Sequence, residues 1–173
     1  SRVVLSAAVI SALIGAVSLT GSIIAWAKLD GVLDKRFTFP GQQYINLLVF
    51  LAAALAGAYL FLGLDVRVII AFFVLALLFG VMMTLPIGGA DMPVVISLFN
   101  AFTGLAVAFE GFVLNNEALI IAGMVVGAAG MLLTQLMAKA MNRPISGVLF
   151  SNFFGGGASA TEIKGSMRAI EPS

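Results

Sequence analysis

The residues best suited to chemistry lie between positions 91 and 103, inside an otherwise apolar stretch. Asp91 opens this region, and Ser97, Asn100 and Thr103 follow it, spaced three residues apart. Hydroxyl and amide groups do not titrate near neutral pH, but they can hold water and pass protons along hydrogen bonds. Polar groups inside a membrane are costly and usually mark an ion or proton path. If this region crosses a membrane, its residue types indicate such a path.

The composition is that of a membrane protein. Of 173 residues, 61% are hydrophobic and 10% are charged, whereas soluble globular proteins carry about 25% charged residues. The chain has no cysteine, which excludes disulfides, thiol catalysis and thiolate metal sites. It also has no histidine, the side chain best suited to titrate near neutral pH. A titrating group for proton chemistry must therefore be another residue type or lie on another chain. Nine basic residues against eight acidic ones give no indication of a nucleic-acid partner.

Five apolar runs are long enough to cross a bilayer, which takes about 20 residues of helix. Unbroken runs of that length exclude barrel strands, which alternate over about 10 residues. We therefore predict an all-α polytopic membrane helix bundle in residues 1–144. Residues 145–173, which include a Gly/Ser-rich stretch, are predicted to form a linker that leaves the membrane. The predicted spans are 3–27, 44–62, 66–85, 92–114 and 118–138.

The distribution of basic residues predicts the orientation. Five spans place the two termini on opposite sides of the membrane, and cytoplasmic loops carry an excess of Lys and Arg. Seven basic residues fall on the side of the C-terminus and two on the side of the N-terminus. We therefore expect the C-terminus and Asp91 to be cytoplasmic. The two sets are Lys28, Lys35, Arg36, Lys139, Arg143, Lys164 and Arg168, against Arg2 and Arg67.

Small and polar residues gather on one face of the fourth span and one face of the fifth. Glycines at this spacing let helices approach closely and pack by van der Waals contact. Tight packing is the simpler interpretation of the fifth span, and a mobile or water-lined face is the alternative. The polar face of the fourth span should look toward protein or water. At 100° per residue, these faces hold Ser97, Asn100, Thr103, Gly104, Val107, Glu110 and Gly111 on one span, and Gly123, Gly127, Gly130 and Thr134 on the other.

Each polar residue also has a purely structural interpretation. Asn100 could hold helices together through an interhelical hydrogen bond, worth about 0.6 kcal/mol on average. Asp91 could cap the start of the fourth span, where Pro93 suits the first turn. Glu110 lies one turn from the outer end and could extend to the membrane interface.

Arg143 is the natural partner to consider for Asp91. It follows the fifth span as Asp91 precedes the fourth, and only a short turn at 115–117 joins these spans. The spans should be antiparallel neighbours, with both charges at the cytoplasmic end of one helical hairpin. We hypothesise that the two residues pair there; two separately solvated interfacial charges are the alternative.

Several of these stretches together resemble the beta subunit of proton-translocating NAD(P) transhydrogenase, over nearly the whole chain. The most specific part is GGADMP at 88–93, with the KAMNR stretch at 139–143. Asn100, Gly104, the stretch 111–115, the glycine face of the fifth span and the stretch 15–28 add to the resemblance.

The resemblance implies a membrane protein that couples hydride transfer from NADH to NADP⁺ to proton movement. It implies that Asn100 lies in the proton pathway and that Asp91 and Arg143 lie at the cytoplasmic mouth, facing the NADP(H)-binding domain. We further hypothesise that Ser97 and Thr103 hold water beside Asn100 and that Asp91 and Arg143 form a cytoplasmic gate. Gly104, Gly111, Gly123, Gly127 and Gly130 would shape the helix contacts. Hydride transfer, NAD(H) and NADP(H) would belong to soluble domains, so no catalytic hydride site, cofactor or metal is expected on these residues.

The expected partners follow from the same resemblance. They are the membrane helices of the alpha subunit, the NADP(H)-binding domain of the same subunit, the NAD(H)-binding domain and the lipid bilayer of a bacterial inner membrane. The whole enzyme is expected to be a dimer.

The chain departs from the family pattern in one important respect. The pattern includes a membrane-domain histidine upstream of the matched region, and this chain has none. The titrating group is therefore expected on a helix upstream of this sequence or on another subunit. Two other classes also stay open: a fragment of a secondary transporter or channel, and a structural scaffold subunit. The transporter class is disfavoured because the prolines lie at span ends or in loops rather than breaking helices at the midplane.

Overall fold

A computed structural model describes residues 2–33 and 37–150, and within these ranges the secondary structure is helices joined by loops and turns, without strands. Five helices are long and apolar enough to cross a membrane, which confirms the predicted class. Lys35, Arg36, Lys164, Arg168 and the Gly/Ser-rich stretch lie outside the described residues. The helices are α1 (Arg2–Leu29), α2 (Gln42–Tyr59), α3 (Val66–Thr84), α4 (Met92–Val113), α5 (Glu117–Ala140) and α6 (Ile145–Phe150), with a 3-10 turn (Gly89–Asp91) before α4.

The helix ends follow local sequence signals. Asp65 and Asn116 cap α3 and α5, accepting hydrogen bonds from the N–H groups of Arg67 at 2.9 Å and Leu119 at 3.2 Å. The segments after α4 and α5 place Asn115 and Asn142 in the left-handed region, each at φ 53°. Asparagine tolerates that conformation better than most residues, so each helix stops close to its asparagine.

The observed ends of the five long helices lie within three residues of the predicted ones, and two differences have a clear structural cause. Helix α2 ends at Tyr59 rather than 62, because residues 60–62 turn back on the last carbonyls of the helix. The segment assigned to a linker begins with α6, in which Val148 is 3% exposed and joins the core cluster. Apolar residues at 145, 148 and 149 give α6 one buried face, and Pro144 suits its start.

Helix α4 lies at the centre of the bundle. It packs against α5 on one side and α1 on another, while α1 also contacts α3 and α3 contacts α2. Half of its apolar stretch is buried (50%), compared with 17% to 28% in the other four membrane-length helices. The packing order is therefore α5, α4, α1, α3, α2.

The α4–α5 contact brings the two helix backbones against each other. A Cβ atom at Gly104 would lie 2.4 Å from the backbone N of Gly127, and one at Gly123 would lie 2.4 Å from that of Ala108. A Cβ at Gly130 would lie 2.9 Å from Ala101 Cα, and one at Gly111 would lie 2.6 Å from Ile120 N. Side chains at these positions would separate the helices.

The other face of α4 interlocks with α1. The Phe99 ring fills the space over Gly21, where a Cβ would lie 2.3 Å from Phe99 Cζ. Ser11 Oγ donates a hydrogen bond of 2.9 Å to the Ala106 carbonyl. Helix α1 is held to α3 in the same way, because Thr20 Oγ1 donates to the Leu77 carbonyl at 2.9 Å. Hydroxyl-to-carbonyl bonds between helices are typical of membrane bundles.

Replacing Gly123 by alanine should destabilise the bundle, whereas Gly127→Ala should have little effect. The nearest atoms to a Cβ at 123 are backbone atoms at 2.4 and 2.6 Å, but at 127 they are 3.5 Å away. Overpacking typically costs about 1–3 kcal/mol, which is the loss expected for Gly123→Ala. Thermal unfolding of the purified assembly in detergent measures both variants. Equal stability of the two would contradict the backbone contact.

Candidate functional site

An ion pair between Asp91 and Arg143 lies at one end of the α4–α5 hairpin, which we call the Asp91 end. A guanidinium nitrogen of Arg143 donates to Asp91 Oδ2. The Asp91 side chain is 7% exposed and that of Arg143 is 45% exposed. The pair therefore has a buried anion and a cation that is accessible from outside the bundle.

The hairpin explains why residues so far apart in sequence meet. Helices α4 and α5 are antiparallel and joined by a short turn, so the start of one and the end of the other share the Asp91 end. Arg143 is fixed just beyond α5, because its backbone N–H donates to the Ala138 carbonyl at 3.0 Å. The pairing proposed from the sequence is thus present, while its function as a gate stays a prediction.

The capping alternative for Asp91 is not realised. Asp91 occupies the N-cap position of α4, but its side chain makes no hydrogen bond to the first N–H groups of the helix. Its carboxylate is directed to Arg143 instead, and Asp91 Oδ1 is buried with no hydrogen-bond partner among residues 2–33 and 37–150. A buried carboxylate oxygen without a donor is costly, so this atom is available to a further donor.

A third charged residue at this end, Lys28, was counted in the sequence only as one of the basic residues. Its side chain emerges from the last turn of α1 and the residue is 7% exposed. Lys28 Nζ donates to the carbonyls of Ile87 at 2.6 Å, Thr84 at 3.4 Å, and Leu85. These groups belong to the C-terminal end of α3 and the turn after it, where helix carbonyls lack intrahelical partners.

Helix α2 contributes two amides to the same end of α3. Gln42 Nε2 and Asn46 Nδ2 lie 3.4 and 3.3 Å from the Met82 carbonyl. Both residues are buried, at 6% and 3% exposure. In the sequence, Lys28, Gln42 and Asn46 are visible only as polar residues near the ends of spans. The sequence does not indicate that their side chains hydrogen-bond to the end of another helix, α3.

The structure divides the predicted proton-pathway residues into two groups. Ser97 is buried in the α4–α5 contact, where its Oγ lies 3.3 Å from the Gly130 carbonyl and 3.1 Å from Thr134 Oγ1. Asn100 and Thr103 are exposed on the surface of the chain. Thr103 Oγ1 donates to the Phe99 carbonyl of its own helix at 2.8 Å. Ser97 therefore stabilises the helix pair, and the other two lie outside that contact.

The exposed part of this polar face forms a strip along α4, which we call the α4 polar strip: Asn100, Thr103 and Glu110. No described residue forms a hydrogen bond with the Asn100 amide or an ion pair with Glu110. The structural interpretation of Asn100 required a hydrogen bond from its amide to a neighbouring helix, and the described part of this chain does not contain that bond.

Metal binding finds no support among the described residues. Residues 2–33 and 37–150 contain no group of three or more acidic side chains close enough to hold an ion. The described residues instead offer one ion pair, one buried ammonium and one strip of polar groups. These features define a polytopic membrane protein with charged groups at one end of its helix bundle and polar groups along one helix.

Comparison with known proteins identifies the family. A family model described as NAD(P) transhydrogenase beta subunit matches residues 1–172. Two curated relatives, both NAD(P) transhydrogenase subunit beta from Rhodospirillum rubrum, are 40% identical over 141 residues. The match covers 81% of this chain and 30% of each relative. The chain belongs to the NAD(P) transhydrogenase beta subunit family, which confirms the resemblance noted in the sequence.

Exchanging the charges of the ion pair should recover activity that either single reversal removes. Asp91→Arg or Arg143→Asp alone places two like charges together at a partly buried site, so each should lower transhydrogenation by the complete enzyme about tenfold or more. The double variant restores an opposite-charge pair and should regain part of the loss. Initial rates in membrane vesicles provide the measurement. A double variant no better than the worse single would argue against direct pairing.

Proposed function

We propose that this chain is the membrane, proton-translocating portion of an NAD(P) transhydrogenase, which couples hydride transfer from NADH to NADP⁺ to proton movement. Membership of the beta subunit family supports this proposal. The observation that carries it is the pair of Asp91 and Arg143, built onto the helix that also bears the α4 polar strip. The chain spans only 30% of the length of its curated relatives, so hydride transfer is assigned to the soluble parts of the whole enzyme.

The proton path runs, in this proposal, along the α4 polar strip. Asn100 and Thr103 do not titrate, but their amide and hydroxyl groups can order water and hand protons along hydrogen bonds. A polar strip cannot face hydrocarbon without a penalty. Membrane helices from elsewhere in the enzyme, including those of the alpha subunit, would cover it and supply a histidine as the titrating group, because this chain has none.

The gate would be the Asp91–Arg143 pair. Arg143 is accessible, whereas Asp91 is buried and has one carboxylate oxygen without a hydrogen-bond partner among residues 2–33 and 37–150. An NADP(H)-binding domain docked over this end can therefore change the partner of either residue. Moving one charge across 100 mV is worth about 2.3 kcal/mol, so a gate need bias two states by only a few kcal/mol. One rearranged charge pair at a partly dry site can supply that.

The orientation follows from the excess of basic residues at the Asp91 end. We assign this end to the cytoplasm of a bacterial cell and the chain to the inner membrane. Residues 1–144 would form the membrane bundle, and 145–173 would lead to an NADP(H)-binding domain. The NAD(H)-binding domain and a second copy of the whole enzyme complete the expected assembly.

No nicotinamide step is assigned to these residues. Dinucleotide sites are built from a strand, a glycine-rich turn and a helix, and the described ranges contain no strand. NADP(H) and NAD(H) would supply the hydride chemistry when bound to the soluble domains. The residues of this chain would hold water, stabilise charge and sense docking.

A transporter or channel fragment, or a structural scaffold subunit, remains the rival function. Either rival predicts that hydride exchange and proton movement are independent. In vesicles that contain the complete enzyme, hydride transfer should instead be accompanied by a pH change across the membrane. Hydride exchange without that pH change would contradict the proposed function.

Replacing Asn100 by leucine should abolish coupled proton transfer while leaving hydride exchange between the soluble domains intact. Leucine is of similar size but cannot hold water in the α4 polar strip. Gln135→Leu is the matched control, because Gln135 is an exposed amide on α5, outside that strip. Proton movement in vesicles, followed with a pH-sensitive dye, measures both variants. Normal pumping by Asn100→Leu would refute the assignment of Asn100.

A further inference from the structure

We propose that Lys28 is a positioning residue for the gate, because its ammonium fixes the turn that presents Asp91 to Arg143. The proposal rests on the proposed function, since it assigns Lys28 a part in the coupling at that same end. Lys28 acts through the backbone between α3 and α4, whose carbonyls accept hydrogen bonds from its ammonium.

The ammonium group is matched to its surroundings. It has three protons, and three carbonyls receive them: those of Thr84, Leu85 and Ile87. A lysine is rarely buried unless it is paired or hydrogen-bonded. Lys28 is 7% exposed, and its hydrogen bonds to the carbonyls at the end of α3 stabilise the buried charge, although Lys28 itself belongs to α1. A positive charge at the C-terminal end of α3 also complements the helix dipole.

The turn that Lys28 holds has few other anchors. Between Ile87 and Asp91 it consists of Gly88, Gly89 and Ala90, which have little or no side chain to pack. The Asp91 N–H donates to the Gly88 carbonyl at 3.0 Å. A Cβ at Gly89 would lie 4.0 Å from the Lys28 carbonyl, so the end of α1 also runs beside the turn.

The position of Asp91 therefore depends on α1 as well as on its own helix. Without the ammonium, the carbonyls at the end of α3 lose donors in a buried setting, and the glycine turn is free to shift. A shift of the turn moves the Asp91 carboxylate relative to Arg143. The expected consequence is a loss of coupling rather than a loss of hydride chemistry.

Three variants of the complete enzyme test this proposal, with proton movement in vesicles as the first measurement. Lys28→Met removes the charge and the donors, and should lower coupled proton transfer about tenfold. Lys28→Arg keeps both and should recover most of the activity. Lys139→Met is the matched control, because Lys139 is an exposed lysine at the same end and should behave like the wild type.

A double-mutant cycle with Asp91→Asn separates positioning from general stabilisation. If Lys28 acts through Asp91, adding Lys28→Met to Asp91→Asn should lower proton transfer no further. If the two losses multiply, the proposal is overturned. Should Lys28→Met fail to assemble, Lys28→Gln, which retains an amide donor, takes its place in the same cycle with the same two outcomes.

The outcomes also separate this proposal from the proposed function. If the wild-type enzyme moves protons and the Lys28→Met variant moves them equally well, only the assignment of Lys28 is overturned. Wild-type enzyme that exchanges hydride without moving protons overturns the proposed function itself.

Discussion

The backbone contact between α4 and α5 is the interaction on which the candidate site depends. Inside a bilayer there is no hydrophobic force to drive helices together, so close packing of small residues takes its place. Glycines at 104, 111, 123 and 130 leave room for one backbone against the other. The hairpin is thereby held close enough for Asp91 and Arg143 to meet. Larger side chains in this contact would separate the helices, and the two charges would then be solvated apart.

The Asp91 end shows how a bundle accommodates charge where it meets water. Lys28 is buried but hydrogen-bonded to three carbonyls, so its charge is stabilised by the end of another helix. Asp91 is buried beside a half-exposed arginine, and only one of its two carboxylate oxygens has a partner among the described residues. The first arrangement is satisfied and therefore rigid. The second is incompletely satisfied and therefore suited to a change of partner.

The α4 polar strip has the opposite character. The Asn100 amide and the Glu110 carboxylate lie on the outside of the chain, while the hydroxyl of Ser97 on the same helix is buried against α5. Exposed polar groups at membrane depth require protein or water as neighbours. The chain spans 30% of its curated relatives, and the assembly proposed above would provide those neighbours.

The sequence by itself determined the class, the five spans and the end of the bundle at which Asp91 and Arg143 lie. Hydrophobic length fixes membrane helices because the bilayer sets how many residues must be apolar. The short turn at 115–117 fixes an antiparallel hairpin, so the sequence placed Asp91 and Arg143 at the same end but left open whether they pair or are solvated separately. Helical periodicity also placed Ser97 and Asn100 on one side of α4, but it could not say which of them a neighbour would cover.

Only the tertiary structure decided the contacts between helices that are distant in sequence. Sequence periodicity gives each helix its faces but not the helix that each face meets. For that reason the sequence did not predict three contacts: Lys28 capping α3, Ser97 buried against Gly130, and Val148 packed into the core. Each depends on how whole helices cross, which is set by the summed packing of many side chains rather than by any local signal.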